Sequence, residues 1–275
     1  MAGEPDGAGM SRDIGTFGDL HVSVDADFVV TAEIRRPPNN FFSPALIDSM
    51  VDAFRAIDDD PTCRAIVLCS EGKHFCAGAD FSGDGDSGLE ARNANGSPRH
   101  LYDAAVDLFA TKTPVIAAVQ GAAIGGGLGV ACFADFRVAA PEARFAANFA
   151  RLGFHHGFGL SATLAPLVGQ QRSLELLYTG RRINGVTAHE IGLADRLVPL
   201  DKLRAEAHAL AAEIAASAPL AVASIRQTMR GELAHQVSIA TDREKAEQDW
   251  LRKTDDWKEG VKAMAERRPP NFRAK

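Results

Sequence analysis

Unbroken apolar runs and apolar stripes of helical spacing take turns along this chain, and the alternation predicts an α/β fold. Residues 65–69 and 115–119 are two short runs without a polar position, as strands buried on both faces of a parallel sheet are. Ahead of them, residues 21–24 and 28–34 are β-rich and separated by Asp25-Ala26-Asp27. That predicts a hairpin with Val30, Ala32 and Ile34 on one face. Ser43-Pro44 has the form of a helix start, serine as N-cap and proline at the first helical position. Leu46, Ile47, Met50, Val51 and Phe54 then form one apolar face, closed by Asp58-Asp59-Asp60-Pro61. A further helix is expected over residues 101–109. Strand 65–69, a loop, that helix and strand 115–119 make a right-handed crossover. The loops after the two strands therefore open at one sheet edge, where ligands bind in α/β folds.

Residues 136–140 and 144–148 read as two more short strands. Residues 162–168, 173–179 and 187–192 read as helices. Residues 201–217 carry a stripe of Leu203, Ala207, Leu210, Ala211 and Ile214. Helices over 221–229 and 243–265 complete a helical last third, stopped by Pro269-Pro270. Residues 82–97 are polar, glycine-rich and aperiodic, and are expected to be flexible. The organisation predicted is a flexible N-terminus over 1–15, a core over 16–200 and a helical region over 201–275.

Composition narrows the function classes. With 275 residues, 46% of them hydrophobic, the chain can bury a substantial core. A net charge of −6 and a pI near 5.8 argue against nucleic acid as a partner. No run reaches the length of a transmembrane helix, so no membrane is expected either. The N-terminal residues lack the basic start and apolar segment of a secretion signal. Cys63, Cys69, Cys76 and Cys132 form no CxxC pair and read as buried thiols of a cytoplasmic protein.

The chemistry centres on the strand at 115–119 and the glycine-rich turn behind it. Gln120-Gly121 ends the strand, Gly125-Gly126-Gly127 comes next, and residues 128–133 are an apolar run of helical length. A helix start offers backbone N–H groups without intrahelical partners, and glycine lets another molecule approach them. A phosphate loop would need Lys and Ser/Thr after the last glycine, and the chain has Leu128 there. A dinucleotide fingerprint would need a third glycine where Val130 stands. Two readings stay open at this point: an oxyanion hole completed by a donor from elsewhere, or a close helix–strand crossing without a ligand.

Five patches, in order, resemble the crotonase, or enoyl-CoA hydratase/isomerase, superfamily. They are Arg36-Pro37 with Asn40; Phe75-Cys76-Ala77-Gly78-Ala79-Asp80; Val115 to Gln120-Gly121 with Gly125-Gly126-Gly127 and Asp135; Thr179-Gly180-Arg181-Arg182-Ile183 with Ala188 and Gly192-Leu193; and Arg267-Arg268-Pro269-Pro270-Asn271-Phe272. The resemblance implies a crotonase-like spiral of ββα units with a helical C-terminal trimerisation region. It also implies homotrimers or hexamers (dimers of trimers), and an acyl-CoA thioester as substrate, with coenzyme A entering as part of the substrate and no other cofactor or metal. Matched residue by residue, the oxyanion donors are the N–H groups of Ala79 and Gly126. His74 and Ala77 would line the coenzyme groove, and Lys262 would meet a phosphate.

The sequence departs from the family where hydratases carry two glutamates. Gly129 stands at the first position and Phe149, after Asn148, at the second, so hydration by the usual pair is not expected. Isomerisation, hydrolysis, C–C cleavage or an atypical hydration are the alternatives, beside a catalytically degenerate acyl-CoA-binding paralogue. His155 and His156 are the replacement candidates. An imidazole suits acid–base work near neutrality, and adjacent side chains diverge, so one of the two is expected to face the acyl pocket. Asp84, Asp86 and Glu90 are further carboxylates of the loop expected to cover the acyl chain. Asp80 and Asp135 read as structural. Ser161 lacks the G-x-S-x-G setting of a hydrolase nucleophile.

Overall fold

The first strands are set by the hairpin pattern. In a computed structural model that describes residues 11–79, 90–92 and 98–275, the chain begins with β1 (Arg12–Phe17), β2 (Leu20–Val24) and β3 (Val29–Ile34). Helix α1 (Pro44–Asp58) and strand β4 (Ala65–Ser70) come next. A small hairpin, β5 (Glu90–Arg92) with β6 (Pro98–His100), precedes α2 (Leu101–Phe109). Beyond it lie β7 (Val115–Val119), β8 (Ala122–Ile124), α3 (Gly126–Phe133), β9 (Phe136–Ala139) and β10 (Arg144–Ala146). A 3-10 turn, Asn148–Leu152, leads to α4 (Leu160–Val168) and α5 (Gln170–Thr179). After β11 (Ile183–Asn184), α6 (Gly185–Glu190) and β12 (Arg196–Leu197), four helices close the chain. These are α7 (Leu203–Ala215), α8 (Pro219–Arg230), α9 (Leu233–Leu251) and α10 (Asp255–Ala265).

The large sheet runs β1-β2-β3-β4-β7-β9-β12 and the small one β11-β10-β8. Pairing is antiparallel from β1 to β3 and parallel from β3 onward. Two consecutive strand pairs, β7–β8 and β9–β10, each place their first strand in the large sheet and their second in the small one. That step between sheets is the spiral of ββα units that the resemblance implies. It carries the end of β8 and the start of α3 to the edge where the loop after β4 also arrives.

Alternate residues of the central strands feed two cores. Ile66, Leu68, Val115, Ala117 and Val119 face α1, α2 and α3. Ala65, Val67, Cys69, Ile116 and Ala118 face the other way, onto Leu203, Ala207, Leu210, Ala211 and Ala215 of α7. The full burial of β4 and β7 is thus the reason for their unbroken apolar runs. Ser43 caps α1 as expected, accepting from the N–H of Leu46 at 3.2 Å. Asp135 is structural: it accepts from the Val115 N–H at 2.8 Å and pairs with Arg226 and Arg230 of α8.

Three expectations change. A flexible N-terminus is expected over 1–15, but β1 already pairs from Arg12, with a register shift between Asp13 and Gly15. Alternation there is blurred by that shift and by polar positions on both faces. The helix expected over 243–265 is two helices, because Thr254 caps α10 by accepting from the Trp257 N–H and the chain turns at residues 252–254. Part of the aperiodic stretch over 82–97 is the strand β5. Residues 80–89 and 93–97 lie outside the described residues, and with them the candidates Asp80, Asp84 and Asp86.

Candidate active site

The loop after β4 is held by one buried asparagine. Asn40, fully buried, accepts from the Arg36 N–H at 3.0 Å and donates to the carbonyls of Glu71 and His74 at 2.8 and 2.6 Å. Every polar group of that amide is used, and alanine would remove three hydrogen bonds, leaving the Arg36 N–H and the Glu71 carbonyl without that partner while Gln120 still reaches the His74 carbonyl. Asn40→Ala is expected to cost about 2–3 kcal/mol in urea unfolding and to loosen the loop after β4.

That loop is then stitched to β8. The Cys76 N–H donates to Ala122 and the Ile124 N–H to Cys76, so residues 76–79 run beside the strand that ends at Gly125. Gly78 has φ +93°, and a Cβ on it would stand 2.7 Å from the Ile124 carbonyl. Only glycine makes that turn so close to β8. Gly125, at φ +57°, makes the corresponding turn into α3. The two turns bring Ala79 and Gly126 to one place. Among the described residues, neither N–H donates to a protein acceptor. Gly126 is the first residue of α3, where an unpartnered N–H is inherent to the helix.

Both residues line a cavity of about 500 Å³. Phe42, Phe149 and Phe154 form its apolar wall, with Tyr102 of α2 and Val261 and Met264 of α10. Its polar side chains are those of Asn39, Asn148, His74, Arg144 and Arg182, with the phenol of Tyr102. None of its described lining residues is Asp or Glu. A second cavity of about 520 Å³ shares His74, Ala122 and Arg144 with the first and adds Lys73 and Arg204 together with Glu142 and Asp201.

The two positions that lack glutamate are filled. A Cβ at Gly129 would stand 2.6–2.8 Å from Phe158, whose ring takes that space. Phe149 presents its own ring to the cavity. The site is therefore sealed with aromatic carbon where the resemblance would place paired carboxylates.

The sequence-nominated residues divide into two groups. His74, Ala77, Ala79 and Gly126 meet at the cavity. His74 Nδ1 accepts from the Ala122 N–H at 3.3 Å, and burial first, then Lys73, lowers its pKa. Lys262 is exposed on α10, on the turn whose Val261, Met264 and Ala265 line the cavity, without lining it itself.

His155 and His156 lie apart, which corrects the expectation that one of them faces the pocket. Their rings do not diverge but stack, with centroids 4.1 Å apart. Neither lines the cavity. His155 Nδ1 bonds the His156 carbonyl oxygen at 2.8 Å, and His156 Nε2 meets Ser161 Oγ at 2.8 Å. Behind them Glu244, fully buried on α9, accepts from the N–H groups of Gly159 and Ser161 at 2.9 and 3.0 Å. A carboxylate at the N-terminus of α4 satisfies donors the helix cannot. Burial and then His155 push the His156 pKa down to about 3. The pair belongs to the network that fastens α4 to α9.

Tyr102, Asn148 and Phe42 are site residues that the pattern did not nominate. Tyr102 had a signal: it falls on the apolar face of α2, where a phenol oxygen needs a partner. Asn148 had none beyond its place after β10. Phe42 is placed by its bridge to Ala79, a contact between distant segments.

Known proteins resemble this chain in sequence and fold. Residues 26–275 match the family model described as enoyl-CoA hydratase/isomerase. A crotonyl-CoA hydratase of Syntrophomonas wolfei is 35% identical over 230 residues, spanning 82% of this chain and 86% of the relative. The crystal structure of an enoyl-CoA hydratase/isomerase from Pseudoalteromonas atlantica superposes with a TM-score of 0.82 at 29% identity, over 93% of this chain and all of that one. A carnitinyl-CoA dehydratase from Mycobacterium avium superposes at 0.78 and 28% identity, over 94% and 99%. With the spiral fold, the paired glycine turns and these matches together, the chain belongs to the enoyl-CoA hydratase/isomerase family.

Proposed function

We propose that the chain holds an acyl-CoA thioester across the two adjoining cavities and polarises its carbonyl with the N–H groups of Ala79 and Gly126. The observation that carries this reading is the pair of unpartnered backbone donors on one apolar cavity. Such donors stabilise an oxyanion or enolate in a dry site far better than in water. Arg144, Arg182, Lys73 and Arg204 supply positive charge for coenzyme phosphates, and Lys262 adds to it from the rim. The reaction is one that forms an enolate or a tetrahedral oxyanion without the usual glutamate pair: isomerisation, hydrolysis or C–C cleavage.

The absence of Asp and Glu from the described lining of the cavity that holds Ala79 and Gly126 supports a second reading, an acyl-CoA-binding paralogue without chemistry. Binding and turnover separate the two. Calorimetry is expected to show binding of crotonyl-CoA. Its hydration, followed by loss of the conjugated thioester absorbance, is expected to run about 10²–10⁴-fold below that of a two-glutamate hydratase. Fast hydration would mean that another acid–base pair serves the site. No affinity for any CoA ester at millimolar concentration would remove the reading altogether.

A homotrimer or a hexamer fits α8. None of its residues is buried, and Leu220, Ile225 and Met229 are 85, 64 and 77% exposed. Apolar side chains exposed along one helix suit a second copy of the chain.

A further inference from the structure

We infer that Tyr102 is the proton donor of this site, an inference that rests on the acyl-CoA reading above and names its acid. Tyr102 is 4% exposed and lines the cavity shared by Ala79 and Gly126. Its oxygen accepts from Gln248 Nε2 at 2.8 Å. The same Nε2 donates to the carbonyl oxygen of His155, also at 2.8 Å. A carbonyl oxygen can only accept, so that contact fixes which end of the amide faces the phenol. The amide N–H groups are thus directed at His155 and Tyr102, and Tyr102 is an acceptor from Gln248. Its own O–H hydrogen must point elsewhere. Among the described residues no hydrogen bond from that hydroxyl to an acceptor is found, and Tyr102 is itself one of the residues lining the cavity.

A buried hydroxyl without an acceptor is costly, and native chains seldom keep one. Here the surroundings are built to hold it. Gln248 is 2% exposed and fixed on α9. Gly157 leaves the space open: a Cβ there would stand 1.7 Å from the phenol oxygen. The Tyr102 hydroxyl therefore occupies the space into which a side chain at position 157 would project. His100 packs edge-on against the ring, centroids 4.7 Å apart. Burial, and then Glu244, raise the phenol pKa above its ordinary value, which keeps the group an acid.

The step balances without another reagent. The enolate held at Ala79 and Gly126 uses its C=C electron pair to form a C–H bond with the phenol hydrogen. The thioester carbonyl reforms as the negative charge leaves its oxygen. Tyr102 is left as phenolate and regains its proton from water as the product leaves. Malonyl-CoA is a suitable probe because loss of carbon dioxide generates the enolate with no base. Crotonyl-CoA and 3-hydroxybutyryl-CoA complete the set.

The chain has two tyrosines, and the other, Tyr178, is 74% exposed. In a Tyr178→Phe background, fluorotyrosine incorporation labels position 102 alone. Its fluorine resonance is expected to shift when the protein is saturated with crotonyl-CoA. In deuterated water, the wild type is expected to place deuterium on the carbon beside the thioester of at least one probe. Tyr102→Phe, which keeps the ring and loses one oxygen, is expected to slow this at least 100-fold with dissociation constants within threefold. Equal labelling rates overturn the proposal, as does a resonance unmoved by a bound ester. A wild type that binds all three probes and labels none also overturns it while leaving the binding site intact. Failure to bind any of them removes the acyl-CoA reading itself.

Discussion

Replacing Gly126 with alanine is expected to lower turnover by about 10²–10³-fold, the usual consequence of losing one oxyanion donor. The added methyl group does not remove the N–H. It moves it. A Cβ on Gly126 would stand 2.1 and 2.3 Å from two ring carbons of Phe42. Phe42 is 7% exposed, and the space open to its ring is the cavity that would hold the thioester. Its backbone N–H donates to Gly78 at 3.1 Å, and the residue bridges Ala79. Pushing the ring away therefore strains the loop that carries the other donor, and one methyl group disturbs both. A cost of about 1–3 kcal/mol in stability accompanies the overpacking. Phe42→Ala combined with Gly126→Ala makes room for the methyl group and is expected to recover part of the lost rate. Single-turnover kinetics on a thioester that the wild type converts reads both variants. Activity within threefold of wild type in the single variant would show that Gly126 does not hold the oxyanion.

The layout of the core was legible because it rests on local patterns. The runs at 65–69 and 115–119 are β4 and β7, and the spacing from Ser43 onward is α1 with its cap. The stripe through Leu203, Ala207, Leu210 and Ala211 is the buried face of α7. Ala79 and Gly126 were legible as a pair only through the resemblance, since nothing local brings residues 47 positions apart together; the stitching of Cys76 to Ala122 and Ile124 does that. The histidines show the limit. A missing pair of carboxylates suggested a substitute near residue 157. No local pattern signals that Glu244, on α9, fastens the N–H groups of Gly159 and Ser161, or that Phe158 fills the space over Gly129. Long-range contacts decided those positions.

Acidification from pH 7 to 4.5 is expected to destabilise the protein more than it destabilises a His156→Gln variant, by about 2–3 kcal/mol. The cause is burial. The His156 pKa lies near 3 in the folded chain, against about 6.5 for an unperturbed histidine, so the native state keeps the ring neutral. Between those two values the unfolded chain binds the extra proton. The stabilisation is therefore complete above pH 6.5 and is lost as the pH falls toward 3, at about 1.4 kcal/mol per unit. Glu244, 4.0 Å away, works in the opposite sense. Burial raises its pKa, so its share is present below the unfolded value and fades as the pH rises. His100, pushed down to about 4 mainly by burial, adds to the acid loss and is unchanged in the variant. Glutamine at 156 retains a hydrogen-bonding group for Ser161 while removing the titration, so the difference between the two proteins isolates one imidazole. Urea unfolding at pH 7 and pH 4.5 gives that difference directly. Parallel losses in wild type and variant would show that His156 takes up its proton without leaving the fold, and that the stacked pair is open to water.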